Sequence, residues 1–178
     1  MNRRYFIKSG VALGAVAALF RMPLVPALAQ NSLTGAKKSA APFPKVVKTE
    51  EEWKRLLTPE QFKVTRQKHT EAPYSSALLK NPAKGVYQCV CCSLPLFSSK
   101  AKYDSETGWP SFWTPIAKPN VREQPETSAG DTRTEVVCNR CDSHLGHVFD
   151  DGPEPTGLRY CMNGVAMKFV KAAAARRA

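Results

Sequence analysis

A chain of 178 residues that is 43% hydrophobic has room for one domain with a core and short appendages. Its formal net charge is +11, and the first 29 residues carry four of those charges, on Arg3, Arg4, Lys8 and Arg21, with no acid among them. The remaining basic residues form no run interleaved with aromatics, which argues against a nucleic-acid partner.

Residues 1–29 have three parts: a charged start around Arg3-Arg4-Tyr5-Phe6-Ile7-Lys8, a mildly apolar run from Val11 to Phe20, and Ala27-Leu28-Ala29 before Gln30. The apolar run is too short to span a bilayer, and the small-x-small ending suits signal cleavage. The paired arginines resemble a twin-arginine export signal. The expectation is a periplasmic protein with no stable membrane insertion. An uncleaved anchor is the alternative. Residues 30–48, with Gly35, Pro42 and Pro44 and no apolar periodicity, read as a flexible leader.

The domain is expected over residues 49–170. Thr49 caps a first helix, with Glu50, Glu51 and Glu52 in its first turn and Trp53, Leu56 and Leu57 on one face. Thr58-Pro59-Glu60-Gln61 starts a second, with Thr as cap, Pro at the first helical position and Gln three residues after the cap. Strand-like runs follow at 85–88, 135–137, 147–149 and 165–169, separated by Pro and Gly turns. Short strands without helices between them predict a mainly β fold with antiparallel sheet. Residues 171–178 form a basic, alanine-rich tail.

Cys89-Val90-Cys91-Cys92 and Cys138-Asn139-Arg140-Cys141 each contain C-x-x-C at the end of a strand-like run. Four thiolates on two tight turns, Cys89, Cys92, Cys138 and Cys141, suit a closed tetrahedral Zn²⁺ site with no open position, a structural metal. The 45 residues between the pairs mean that such a metal would join distant parts of one fold. Disulfides are the competing reading for an exported chain, and Cys91 can serve as a substitute ligand or a spare thiol. His144 and His147 follow the second pair. They are either free for proton transfer or a surface pair in a turn. Cys161 stands apart from the other cysteines. If its segment is a strand, Arg159, Cys161 and Asn163 share one face, and the arginine would lower the thiol pKa. A buried cysteine in the core is the plainer reading.

Taken together, these stretches resemble the methionine sulfoxide reductase B family. The matches are Tyr103-Asp104-Ser105, Gly108-Trp109-Pro110-Ser111-Phe112, Arg133-Thr134-Glu135-Val136-Val137-Cys138, His144-Leu145-Gly146-His147-Val148-Phe149, Gly152-Pro153 and Pro155-Thr156-Gly157-Leu158-Arg159-Tyr160-Cys161-Met162-Asn163, together with both C-x-x-C pairs. The resemblance runs from about Thr49 to Phe169. It implies two small antiparallel sheets with short N-terminal helices, and one structural Zn²⁺ per chain on the four paired cysteines. The implied activity is reduction of the R epimer of methionine sulfoxide in oxidised proteins, with a thiol reductant such as a thioredoxin-like protein, by a monomer. Cys161 matches the nucleophile. His144, His147 and Asn163 match the residues that hold and protonate the substrate oxygen. Trp109 matches the aromatic against the substrate methyl, and Asp151 and Arg159 match charges that shape the site. The sequence departs from the family pattern at Thr107, where many members place a resolving cysteine, at Asp150 for proline, at Gly164 for serine, and in having Cys91.

Overall fold

The structure, a computed structural model, describes residues 43–128 and 131–173. The export signal expected over residues 1–29 lies outside the described residues, as do most of the leader and residues 174–178 of the tail. Among the described residues no helix is long and apolar enough to cross a membrane.

Two short helices open the fold. In Glu50–Leu56 (α1) the Thr49 hydroxyl accepts the Glu52 N–H while the Glu52 carboxylate accepts the Thr49 N–H, a capping box. Pro59–Gln67 (α2) repeats the device with Thr58 and Gln61. The apolar face expected of the first helix needs one correction. Trp53 and Leu57 are buried, but Leu56 is 62% exposed. The helix ends at Leu56, and Leu57 adopts an extended backbone, so it is Leu57 that turns into the core. Within the stretch read as leader, the Val46 N–H donates to Arg140 O at 2.8 Å.

Nine strands follow: Gly85–Cys89 (β1), Pro95–Ser98 (β2), Lys102–Tyr103 (β3), Ser111–Phe112 (β4), Val121–Ser128 (β5), Asp131–Cys138 (β6), His144–Phe149 (β7), Arg159–Met162 (β8) and Met167–Lys171 (β9). They form two sheets, of order β2-β1-β9 and β3-β4-β8-β7-β6-β5. Every recorded pairing is antiparallel. The run expected as a strand over 165–169 starts later, because Gly164–Ala166 forms a 3-10 turn and β9 begins at Met167.

The core lies between the sheets. Phe97 of the small sheet stacks on Phe112 of the large one with ring centroids 4.5 Å apart, and Tyr87 meets Phe112 edge-on at 4.9 Å. Such pairs add roughly 1 kcal/mol each beyond the area they bury. Phe112 pairs with Tyr160 across β4 and β8, and Tyr160 with Val148 across β8 and β7. This register gives the large sheet one apolar face toward the core. The opposite face carries the polar residues.

Candidate functional site

Directly paired residues in an antiparallel sheet point to the same face. Following the register across the large sheet, Tyr103 pairs with Ser111, Ser111 with Cys161, Cys161 with His147, His147 with Glu135, and Glu135 with Gln124. One polar row therefore crosses all six strands, with Cys161 inside it. Arg159 lies two residues along β8 from Cys161, on the same face.

In an unbroken strand two histidines three residues apart would point to opposite faces. Here the register slips between Val136 and Val137, which pair with Gly146 and His144 respectively. Leu145 is the extra residue of a β-bulge. The slip returns His144 to the face of His147, and their ring centroids are 5.5 Å apart. Gly146 makes this possible, because a Cβ there would lie 2.2 Å from Cys161 O.

Each histidine is backed by a carboxylate. His144 Nδ1 is 2.8 Å from Glu135, and His147 Nε2 is 2.8 Å from Glu126. Burial works to raise the Glu135 carboxyl, but Lys68, Gln124 and His144 together hold it down to about 2. It is an ionised acceptor, so His144 Nδ1 must be the donor. Burial lowers the His144 pKa against the pull of Glu135, which favours the neutral ring. Its other nitrogen, Nε2, is buried with no protein partner. Glu126 is held below its usual range by His147.

Cys161 is half-buried, with Sγ 3.8 Å from Thr107 Oγ1. The arginine was expected to leave this thiol with a lowered pKa. Instead burial pushes it up, and Thr107 and Arg159 only partly offset the rise. The geometry gives the reason. Arg159 is committed to a two-pronged bond with Asp151, both contacts at 2.7 Å, and its guanidinium stacks 4.3 Å from the Phe149 ring centre. Much of its charge is answered before it reaches the sulfur.

Asn163 lies one residue past the end of β8 and is buried. Its backbone is still extended, and its N–H donates to Leu145 O at 2.8 Å. Its side chain is bound at both ends, with Oδ1 accepting the Glu71 N–H at 3.0 Å and Nδ2 donating to Leu145 O at 3.1 Å. Trp109 Nε1–H donates to Glu71 O at 3.2 Å. The Glu71 carboxylate takes the N–H groups of Gly164 and Val165 at 2.6 and 2.8 Å. One buried glutamate thus anchors Trp109, Asn163 and the turn after β8. The departure at Gly164 has a local cause, since a Cβ there would fall 1.9 Å from Ser76 Oγ. Ser76 occupies the space a side chain would need.

Sequence reasoning missed Glu71, Glu126, Glu135, Ser105 and Ser111. Only the alternation of Arg133 and Glu135 along β6 hinted at the carboxylates. A cavity of about 940 Å³ lined by Lys80, Lys84, Lys100 and Lys102 has neither thiol nor imidazole in its wall, so cavity size does not locate the chemistry.

The four paired cysteines converge elsewhere. Cys89–Cys92 turns from β1 to β2 and Cys138–Cys141 from β6 to β7. The two turns share one construction. The Cys89 and Cys138 N–H groups donate to Leu94 and Ser143 O, the Ser93 and Asp142 N–H groups donate back to Cys89 and Cys138 O, and Ser93 and Asp142 are left-handed. All four sulfurs lie within 4.8 Å of one another. Cys89–Cys141 and Cys92–Cys138 are 3.7 and 3.6 Å apart, near the edge of about 3.8 Å of a tetrahedron with metal–sulfur bonds of about 2.3 Å and far beyond a disulfide length of about 2.05 Å. The cluster fits a metal ion. Cys91 lies beside it, 3.5 Å from Ser143 Oγ.

The SelR domain family matches residues 57–171. Relatives named peptide methionine sulfoxide reductase MsrB include one from Methanosarcina barkeri, 57% identical over 70% of this chain and 87% of its own length. Another, from Pseudomonas fluorescens, is 56% identical over 71% of this chain and 97% of its own length. A third, from Hahella chejuensis, is 52% identical over 70% and 90%. Membership carries with it protein substrates containing methionine sulfoxide and a thiol reductant. The chain belongs to the peptide methionine sulfoxide reductase MsrB family, and is an oxidoreductase acting on methionine sulfoxide.

Proposed function

We propose that Cys161 is the nucleophile of a methionine-R-sulfoxide reductase that repairs exported proteins. The observation that carries this reading is the direct cross-strand pairing of Cys161 with His147 on the polar face. The Cys161 thiolate attacks the sulfoxide sulfur, and His147, on the same face, delivers a proton to the oxygen while His144 lines the site beside it. The substrate sulfur gains two electrons and leaves as the thioether of methionine, while Cys161 loses two and becomes a sulfenic acid. Trp109 faces the substrate methyl, Asn163 fixes the end of β8, and the Arg159–Asp151 pair shapes the rim. Thr107 is not a thiol, and Cys91 is engaged beside the metal cluster. An external thiol, such as a thioredoxin-like protein, therefore condenses with the sulfenic acid, and water leaves. A second thiol then releases Cys161. Cys89, Cys92, Cys138 and Cys141 hold a structural Zn²⁺, one per chain. The start of the sequence, with Arg3 and Arg4, supports twin-arginine export to the periplasm, and a monomer is expected.

A dithiothreitol-driven assay on peptides carrying each sulfoxide epimer tests the reading. Wild type should reduce the R epimer, and Cys161→Ser should lose at least about a thousandfold in rate while keeping its fold and one zinc. Undiminished turnover by Cys161→Ser would end the assignment.

A further inference from the structure

Three hydroxyls stand in line behind the sulfur of Cys161. Thr107 Oγ1 lies 3.8 Å from Sγ, Ser105 Oγ lies 2.8 Å from Thr107 Oγ1, and Ser111 Oγ lies 2.6 Å from Ser105 Oγ. Ser111 can also donate to Trp109 O at 3.1 Å. Ser111 is fully buried and pairs directly with Cys161 across β4 and β8.

The hydrogens decide what this line can do. Each hydroxyl has one to give. With Cys161 as a thiol, every donor can point away from the sulfur: S–H to Thr107, Thr107 to Ser105, Ser105 to Ser111, Ser111 to Trp109 O. With Cys161 as a thiolate, every donor can point toward it: Ser111 to Ser105, Ser105 to Thr107, Thr107 to the sulfur. Both states satisfy each hydroxyl; the S–H proton leaves to solvent at the exposed side of the half-buried sulfur, and the hydroxyls themselves need only rotate about their C–O bonds. The one group that loses a donor is the Trp109 carbonyl.

We propose that Ser111, Ser105 and Thr107 form a reversible hydroxyl relay that stabilises the Cys161 thiolate, standing in for the charge that Arg159 spends on Asp151. Thr107 touches the reacting sulfur and is a catalytic residue. Ser105 and Ser111 act through it and are positioning residues. The proposal rests on Cys161 being the nucleophile. The other polar groups facing Cys161 are Tyr103 from β3, His147 with Glu126 from the β7 side, and the Arg159–Asp151 pair. The hydrogen bond from Thr107 favours the ionised sulfur against the effect of burial.

The test measures the rate of iodoacetamide alkylation of Cys161 against pH in the zinc-loaded protein, read on the Cys161 peptide by mass spectrometry. This reports the thiolate without any sulfoxide turnover, so it remains valid if the nucleophile assignment fails in the assay above. Thr107→Val keeps the shape of the side chain and removes the hydroxyl. It should move the midpoint up by about one pH unit, a tenfold loss of thiolate below it, and move the acid limb of kcat/KM with it. Thr107→Ser should restore the midpoint, and Ser105→Ala should give a smaller upward shift. An unmoved midpoint in Thr107→Val, a failure of Thr107→Ser to restore it, or an unmoved midpoint in Ser105→Ala would overturn the relay.

Discussion

Glu135 has no exposed surface and accepts from Lys68, Gln124 and His144. Its carboxyl is held at about 2, against 4.5 ordinarily, so the unfolded chain takes up the proton first as pH falls. The stability it contributes is complete above about pH 4.5 and is lost as pH drops toward 2, an effect on the order of 3 kcal/mol. His144 adds to this from higher pH. Burial lowers its native pKa, so as pH falls below about 6.5 the unfolded state takes up the proton before the folded state does. The expected result is a urea midpoint that declines from near pH 6.5 downward. In Glu135→Gln the part between 4.5 and 2 should vanish, along with some stability at neutral pH. A Glu135→Gln protein with the wild-type acid profile would refute the account. None of this was readable beforehand, because Lys68, Gln124 and His144 meet Glu135 only through tertiary folding.

The element that assembles the site is the β6–β7 hairpin, through its bulge at Leu145. Gly146→Ala would drive a methyl into the carbonyl of Cys161 and to 3.0 Å from Met162 Cα. Neither neighbour is a flexible side-chain end that could swing away at Cys161 O. Overpacking of this kind costs roughly 1–3 kcal/mol, and relief by straightening the bulge would turn His144 from the shared face. The substitution should lower the denaturant midpoint and cut reductase activity by more than the lost folded fraction, both measurable on one preparation. Helix starts were legible in the sequence because a capping box lies within four residues. Four of the strand runs were legible between their Pro and Gly turns, and the antiparallel arrangement from the absence of helices between them. The bulge was not, since register is a relation between two strands. The end of β8 was not legible for a similar reason: Glu71, distant in sequence, binds the turn that follows it.

At the scale of the whole molecule, the cysteine pairs bridge the two sheets, one from the β1–β2 turn and one from the β6–β7 turn. Removing the metal proposed for this cluster should free these turns from each other. A strong chelator, or Cys138→Ser, should lower the melting temperature by about 10 °C or more, with activity following the folded fraction. An unchanged melting temperature on verified metal loss would contradict a structural role. The pairs were the most legible part of the site because C-x-x-C spacing is local. Cys161 gained its meaning only from the row it occupies. That row also keeps two kinds of sulfur apart. Cys161 and Cys138 are separated by two strand spacings, about 10 Å, and by roughly 10 Å along β6. The reaction proposed for Cys161 would generate an electrophilic sulfur in a protein with five other cysteines. With the Thr107 hydroxyl rather than a thiol beside it, a Cys161 oxidised in that way would be quarantined from the paired cysteines, and its fate would pass to whichever donor reaches it from outside.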